Sequence, residues 1–251
     1  MSVSANTLFH FTNFDAVQSI LESQGFWPRY SLEILDGLIP DDSPFVKSYV
    51  PMVSFCDLKL LQILNSGDSK HTHHFGKCGI GLSKVWGIDR RVSPVSYVHH
   101  NSVASRAITE IIHQIRKISK SQNEPRLLEA IIEQIKFLKA YEGRWQKGTW
   151  HKRKIRFYDE REWRFVPRER GYPAISNENE RVLFVDDYNE ELKKSPLKFG
   201  VDDVKFIVLE HDKQKLILAE MIHKQFNHLS ADEKNNLIAC ILTIKELQQD
   251  Y

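Results

Sequence analysis

Two carboxylates in the segment Tyr158–Val166 are the side chains best suited to catalysis in this sequence. The segment is YDEREWRFV, and an extended strand would place Glu160 and Glu162 on one face, about 7 Å apart along the backbone. Paired carboxylates can stabilise a developing oxocarbenium ion and orient a nucleophile, which is the chemistry of glycosidic transfer. Alternating charge is equally typical of a solvated strand with cross-strand ion pairs, so that alternative stays open.

His10 and Thr12 form a second candidate group near the start of the chain. Residues Thr7–Phe11 are predicted as a short strand, and the alternation continues to Thr12, so the two side chains share a face. Imidazole can donate and accept hydrogen bonds at once, which suits recognition of ribose hydroxyls. The alternative is that His10 caps the following turn or is hydrogen-bonded in the core. Ser54 is a lone hydroxyl in the apolar run Tyr49–Cys56, and taken alone it favours a structural role.

A basic segment from Arg144 to Arg156 precedes Glu160 and Glu162 in the sequence. It contains no acidic residue, and its cations, interleaved with Trp145 and Trp150, are Arg144, Lys147, Lys152, Arg153, Lys154 and Arg156. A polyanion lying along it could reach Glu162, and tryptophan or arginine planes could stack on an unpaired base. The segment therefore predicts an RNA or single-stranded DNA partner. The alternative is a solvated basic hairpin with both tryptophans in the core.

The segment HTHHFGKC is the one candidate for a metal site. Its donors are His71, His73, His74 and Cys78, but no second correctly spaced pair accompanies them. An exposed polar loop is the preferred interpretation, and we expect no metal.

Composition favours one soluble globular domain over residues 1–251. Hydrophobic residues make up 41% and charged residues 27% of the chain, and the net charge is +2. No export signal and no run of apolar residues long enough to span a membrane is present, so we expect a cytoplasmic protein without membrane partners. The three cysteines are widely separated, which indicates reduced thiols.

The order of predicted elements indicates an α+β fold. A helix with Thr12 or Asn13 as its N-cap follows the first strand. A helical hairpin is predicted within an insert at about 102–147, and residues 28–44 are predicted as a loop with one helical turn at Leu32–Leu35. The remaining predictions are strands at Tyr49–Cys56, Gly79–Ser83, Val92–Val98, Ile155–Val166, Val182–Val185 and Val204–Leu209, and helices at 213–227 and 231–247. This order does not fit alternating βαβ units.

Several of these motifs resemble known families. The run LFHFT, the helix end ILESQGF and the later EREWRFVP resemble the ADP-ribosyltransferases of the DarT type. More closely, five runs resemble the AbiGi family of bacterial phage-resistance proteins: PRYSLE at 28–33, PMVSFCD at 51–57, GIGLSK at 79–84, PVSYV at 94–98 and YDEREWRFVP at 158–167. Together they span roughly residues 7 to 210.

The resemblance to ADP-ribosyltransferases implies transfer of ADP-ribose from NAD, within an ADP-ribosyltransferase-like β-core. It implies that Glu162 is the catalytic glutamate and that Glu160 orients the acceptor. The basic segment from Arg144 to Arg156 favours RNA or single-stranded DNA as that acceptor. It further implies NAD contacts from four residues: His10, Thr12, Arg29 and Ser54. Arg29, expected in the 28–44 loop, would contact the pyrophosphate or instead pair with a neighbouring acid such as Glu33.

The AbiGi resemblance implies a second hypothesis for the function, because proteins of that family are described as antitoxins. It predicts a non-catalytic module that binds a cognate toxin or other partner protein through the amphipathic helices at 103–118 and 127–141. Apolar helix faces usually belong to the core, and the set of polar residues above favours the enzyme. Both functions in bacterial anti-phage defence remain open at this point.

Overall fold

The computed structural model describes residues 4–60, 62, 76–122, 125–144, 154–167 and 178–249. It is a mixed α/β structure with helices and a mixed sheet. The chain divides into two compact units. The first unit comprises Met1–Phe26, Ser54–Ser93 and Pro196–Tyr251, and the second comprises Trp27–Val53 and Pro94–Ser195.

The first unit contains a sheet with the strand order β14-β13-β5-β1. Strand β5 is antiparallel to both β1 and β13, and β13 is parallel to β14. The strands are β1 Thr7–Thr12, β2 Gly25–Phe26, β5 Cys78–Ser83, β12 Leu197–Lys198, β13 Val204–Leu209 and β14 Ile241–Thr243. The helices are α1 Phe14–Ser23, α2 Lys84–Asp89, α6 Asp212–Gln225, α7 Ala231–Ala239 and α8 Ile244–Gln249. Asn13 caps α1, as one of the two predicted residues.

Two glycines in β5 explain how the aromatic residues of β1 pack. Gly81 lies opposite Phe9 and Gly79 opposite Phe11 in the antiparallel register. A Cβ added at Gly81 would lie 2.6 Å from the Phe9 ring, and one at Gly79 would lie 2.9 Å from the Phe11 ring. The missing side chains therefore leave room for both rings to lie across β5, and Phe9 joins the buried cluster of this unit.

The second unit contains most of strand β4, which runs from Lys47 to Cys56 and whose residues from Ser54 onward belong to the first unit. In the sheet β4 neighbours β3 (Arg29–Ile34) and β11 (Glu162–Phe165). Strand β7 pairs with β8 in parallel, and β9 pairs with β10 in antiparallel. The strands are β3 Arg29–Ile34, β7 Ser96–Val98, β8 Leu138–Ala140, β9 Gly143–Arg144, β10 Lys154–Ile155 and β11 Glu162–Phe165, and the short β6, Ser93–Pro94, lies at the boundary of the two units. The helices are α3 Val103–Gln122, α4 Pro125–Ile135 and α5 Glu178–Leu192.

The helices α3 and α4 are the pair expected in the insert, and their inner faces build the core of the second unit. The predicted extent of the second helix, 127–141, is wrong, because α4 ends at Ile135 and Leu138–Ala140 forms β8, which pairs with β7. The cluster there consists of Leu35, Leu38, Ile39, Val98, Ile112, Ile135, Leu138 and Ala140. The sequence predicts one apolar face for α3, but the structure does not bury all of its residues, which are Val103, Ile108, Ile111, Ile112, Ile115 and Ile118. Ile112 is 3% exposed, whereas Val103 is 76% and Ile111 is 50% exposed.

Four other predicted elements are wrong. Residues 29–34 form strand β3 rather than a loop, because six residues of β3 pair with β4 from Arg29↔Met52 to Ile34↔Lys47. Val182–Val185 lies inside helix α5, since a four-residue apolar run is compatible with either element. The predicted 231–247 helix is divided into α7, strand β14 and α8, where β14 gains the backbone pairing of β13. The predicted strand Ile155–Val166 is interrupted by a 3-10 turn at Phe157–Glu160.

Candidate functional site

The two predicted catalytic glutamates lie on different elements. Glu160 ends the 3-10 turn, and Arg161 follows in the left-handed region with φ of 43°, so strand β11 begins only at Glu162. The prediction that both carboxylates share one face of an extended strand is therefore wrong. Within β11 the burial alternates, and it places Glu162 and Arg164 on the same buried face.

A buried ion cluster nevertheless brings the two glutamates together. It consists of Glu33, Lys139, Glu160, Glu162 and Arg164, all in the second unit. The Lys139 ammonium lies 2.6 Å from Oε2 of Glu162 and 3.1 Å from Oε2 of Glu160. Lys139 therefore bridges the carboxylates that the sequence suggested as a catalytic pair.

Arg164 holds the other side of Glu162. Its Nε donates to Oε1 of Glu162 at 2.7 Å, and its terminal nitrogens donate to Oε2 of Glu162 at 3.0 Å, to Glu33 at 2.7 Å and to the carbonyl oxygen of Lys136 at 2.9 Å. The guanidinium is fully buried. The backbone N–H of Glu162 also donates to the Tyr97 hydroxyl at 2.8 Å. Both carboxylate oxygens of Glu162 are thus held by cations within the protein.

Burial and neighbouring charges shift the pKa values of Glu160 and Glu162 in opposite directions. Burial acts to raise the pKa of Glu162, but the charges of Arg164 and Lys139 outweigh it and hold that pKa well below its ordinary value. Burial raises the pKa of Glu160 to about 7, with Lys139 opposing the rise and Glu162 adding to it. Three carboxylates face two cations in the cluster, so a proton on Glu160 makes its total charge neutral. This balance explains why one glutamate is a carboxylate and the other holds a proton near neutrality.

The sequence did not indicate three members of this arrangement: Lys139, Arg164 and Tyr97. Arg164 stands two residues after Glu162, so the alternation of β11 could have placed both on one face. Lys139 lies between the buried residues Leu138 and Ala140, and nothing local in the sequence pairs it with residues more than 20 positions away. Glu33 pairs with Arg164 rather than with Arg29.

His10 lies in an aromatic pocket of the first unit. Its ring centroid is 5.1 Å from that of Phe26 and 5.8 Å from that of Phe55, both in edge-on arrangements. Burial lowers the pKa of His10, so the imidazole is neutral. Nδ1 lies 2.9 Å from the carbonyl oxygen of Ser54, and it must carry the proton and donate to that oxygen. Nε2 is consequently a hydrogen-bond acceptor.

The other predicted NAD contacts occupy separate positions. Thr12 is the last residue of β1, is partly buried, and pairs with Cys78 of β5. Ser54 contacts His10 through its backbone carbonyl. Arg29 is the first residue of β3 and is exposed, opposite Met52, rather than part of a loop. His10, Thr12 and Ser54 belong to the first unit, whereas Arg29, Glu160 and Glu162 belong to the second.

The predicted nucleic-acid segment is described only at its ends. Lys147, Trp150, Lys152 and Arg153 lie outside the described residues. Lys154 pairs with Glu142 at 2.6 Å, and Arg156 lies 3.7 Å from Asp159.

The candidate metal motif also lies largely outside the described residues, which exclude His71, His73 and His74. Within the described residues no cluster of three or more potential metal ligands occurs. Over the same residues, no helix is long and apolar enough to cross a membrane.

Comparison with known proteins places this chain in the class of abortive phage resistance proteins. Residues 27–210 match the family model described as "Putative abortive phage resistance protein AbiGi, antitoxin". The chain is 26% identical over 249 residues to the "Abortive phage resistance protein AbiGi" of Lactococcus lactis subsp. cremoris, an alignment that covers 90% of this chain and 99% of that protein. The chain therefore belongs to the AbiGi family, and the AbiGi resemblance of its motifs is confirmed. No solved structure matches it.

Proposed function

We propose that this chain acts in abortive phage resistance as an antitoxin, by binding a toxin protein with the outer face of helix α3. The description of the family names an antitoxin, and we infer that this antitoxin neutralises a toxin protein by binding it. The exposed apolar stripe on α3 is the observation that carries the proposal. Glu160 and Glu162, which the sequence suggested as catalytic, then serve with Lys139 and Arg164 to hold the second unit together.

The stripe consists of Val103, Ala107 and Ile111. Residues four apart lie on one side of a helix, so the three side chains form one continuous strip. Val103 is 76% and Ile111 is 50% exposed, and Ala107 between them is also exposed. The inner side of α3 packs into the core through Ile112. Since the core already uses one apolar face, the outer one is available to a partner.

The state of Glu162 supports a binding function over a catalytic one. A glutamate that binds a ribose hydroxyl must offer a carboxylate oxygen to substrate. Both oxygens of Glu162 are engaged by Arg164 and Lys139, and its side chain is only 6% exposed. Breaking a buried ion pair costs about 3 to 5 kcal/mol, because a charge is left without compensation. The ion cluster is therefore better suited to structural support.

Growth of the natural host tests this proposal. Deletion of the gene is expected to slow growth in the absence of phage, because a toxin is released, and the wild-type gene supplied in trans is expected to restore growth. The Ile111→Lys variant should fail to restore it while folding normally, since Ile111 is half exposed. The matched control is Lys117→Ala, an exposed substitution on the same helix outside the stripe, which should restore growth. Normal growth of the deletion strain would contradict the antitoxin function.

An NAD-dependent mono-ADP-ribosyltransferase with the corresponding fold is the second candidate, and two side chains favour it. Nε2 of His10 is an acceptor of the type that a ribose hydroxyl would use, and Glu160 has a pKa of about 7, suited to proton transfer. In this function Thr12, Ser54 and Arg29 would assist NAD binding, and RNA or single-stranded DNA would be the acceptor.

Release of nicotinamide from NAD by the purified chain distinguishes the candidates. The enzyme predicts release that is lost in Glu162→Gln and retained in Glu190→Gln, which changes an exposed glutamate of α5. Glutamine at position 162 is preferable to alanine, because it keeps the side-chain volume beside Arg164. Absence of release by the wild type, with RNA and single-stranded DNA both supplied, would exclude this activity under those conditions.

A further inference from the structure

A ladder of four aromatic rings crosses the second unit from the ion cluster to the surface. We define the aromatic ladder as Tyr97, Tyr158, Tyr141 and His99. Successive ring centroids are separated by 5.2 Å, 5.3 Å and 5.8 Å, and the rings of Tyr141 and Tyr158 are stacked with 26° between their planes. At the inner end the Tyr97 hydroxyl accepts the backbone N–H of Glu162. Two rings of the ladder are accessible, since Tyr158 is 43% exposed and the side chain of His99 is 58% exposed.

Cations surround the outer end of the ladder. Lys154 and Arg156 have side chains 70% and 55% exposed, and Arg144 is also exposed. Two acids offset them, because Glu142 pairs with Lys154 and Asp159 lies near Arg156. These residues therefore carry a net positive charge.

Two of these cations lie side by side on paired strands. Arg144 and Lys154 are directly opposite each other in the antiparallel ribbon of β9 and β10. An extended anionic ligand that crosses this ribbon can therefore contact both side chains.

A cleft beside the aromatic ladder is a candidate binding site for an anionic ligand. It has a volume of about 360 Å³ and is lined by His100, Glu142, Gly143, Arg144 and Lys154. His99, the outer ring of the ladder, lies 3.8 Å from Glu142 at the cleft. Rings that can stack on a planar base thus adjoin a cleft that offers cations to phosphate.

We propose that the aromatic ladder and the adjoining cleft bind single-stranded nucleic acid. An unpaired base stacks on Tyr158, and the neighbouring phosphates contact Lys154, Arg144 and Arg156. Stacking on an aromatic ring is available to any unpaired base, so binding has little sequence preference. In this arrangement the carboxylate of Glu142 competes with phosphate for Lys154. The surface is distinct from the stripe on α3, so it adds a ligand to the proposed antitoxin function.

Fluorescence anisotropy with labelled single strands of about 12 nucleotides, oligo(dT) and oligo(U), tests the proposal with the full chain. The wild type should bind them more tightly than a duplex of the same length. Tyr158→Ala should weaken binding about tenfold or more, whereas Tyr158→Phe retains the ring and should bind nearly as well. Glu142→Gln should tighten binding, because the competing carboxylate is removed.

The cations are tested through salt dependence. A Lys154→Ala/Arg156→Ala double variant should reduce the slope of log affinity against log salt by about 1.4, or 0.7 for each lost phosphate contact. The matched control is Lys193→Ala/Lys194→Ala, which removes the same charge at two lysines of another surface that are also paired with acids. It should leave the slope unchanged. Urea unfolding of each variant separates loss of binding from loss of folding.

Three results would overturn the proposal: no wild-type binding at low salt up to about 100 μM protein, equal binding of duplex and single strands, or unchanged binding by folded Tyr158→Ala. None of them affects the growth test of the antitoxin function, which depends on the α3 stripe. The two proposals can therefore fail separately.

Discussion

The ammonium of Lys139 lies 2.6 Å from a carboxylate oxygen of Glu162, and the two side chains are only 13% and 6% exposed. On the opposite side of the same carboxylate, Arg164 donates two hydrogen bonds. The glutamate that resembles a catalytic residue in sequence is thereby the centre of a buried charge network. Its removal tests the structural and catalytic interpretations together.

Glu162→Ala is expected to destabilise the protein by about 3 to 5 kcal/mol, because the buried charges of Arg164 and Lys139 lose their shared partner. Urea unfolding followed by circular dichroism measures this change. As a control, Glu190→Ala removes one partner of an exposed ion pair with Lys193 and should cost less than about 1 kcal/mol. Equal, small effects of the two substitutions would show that Glu162 is not the centre of a structural network.

Glu160 should make stability depend on pH in a defined direction. Its pKa is about 7 in the folded chain and about 4.5 ordinarily, so between these values the folded state holds a proton that the unfolded state has lost. Its contribution is therefore present below pH 4.5 and is lost as pH rises to 7, up to roughly 3 kcal/mol in total. Glu162 changes stability in the opposite direction, because its pKa is lowered. Its contribution to stability is lost only as pH falls below 4.5, outside the range in which Glu160 acts.

Glu160→Gln isolates this effect. Glutamine cannot ionise, so the stability of the variant relative to the wild type should increase as pH rises from 5 to 8. Urea unfolding at several pH values measures the difference. A stability difference that stays constant over this range, or decreases with pH, would contradict the burial of a protonated Glu160 beside Lys139 and Glu33.

The elements predicted correctly are those that local patterns determine. Strand β1 follows from alternation at Thr7–Phe11, and Asn13 supplies the side-chain cap of the next helix. Strand β5 was marked by the compact apolar run from Gly79, and β13 by Val204–Leu209. In each case neighbouring residues carried enough information, and distant residues only supplied the pairing.

The errors arise where distant residues decide the structure. Pro28 and Gly37 suggested a loop, but the backbone pairing of β3 with β4 outweighs these local signals. The turn that separates Glu160 from Glu162 depends on the left-handed conformation of Arg161. Arginine rarely adopts this conformation, so the local sequence does not predict the turn. The position of Lys139 follows from pairing of β8 with β7. The candidate carboxylates were therefore found from sequence, whereas their cationic partners were not.

Gly76→Ala should be strongly destabilising. Gly76 has a φ of +109°, and a Cβ there would lie 2.1 Å from the carbonyl oxygen of Thr12. Both the unfavourable conformation and the clash with backbone oppose any side chain, so a loss above about 1 kcal/mol is expected. Gly200→Ala is the matched control, since its Cβ would meet its nearest neighbour at an ordinary 3.5 Å. Thermal unfolding of both variants measures the contrast, and equal melting temperatures would contradict it.

His10 should remain neutral well below the pH at which an exposed histidine gains its proton. Burial lowers its pKa from the ordinary 6.5, and Nδ1 donates to the Ser54 carbonyl. The unfolded chain takes up the proton first, so the contribution of His10 to stability is present above pH 6.5 and is lost as pH falls from 6.5 through the lowered pKa. Nitrogen-15 NMR should show the tautomer protonated at Nδ1, with the signal identified by its loss in His10→Asn. Protonation of both nitrogens at pH 6.5 would contradict this environment.

The adjacent residues Ile111 and Ile112 provide the sharpest test of the two faces of α3. Ile112 is 3% exposed within the core cluster, so Ile112→Ala should cost about 2 to 5 kcal/mol. Ile111 is 50% exposed, so Ile111→Ala should change stability by less than about 0.5 kcal/mol. The proposed antitoxin function predicts the reverse order for activity, because Ile111 would then contact the toxin directly. At a temperature where both variants are folded, Ile111→Ala should impair protection of the host more than Ile112→Ala, and the opposite order would place the binding surface elsewhere.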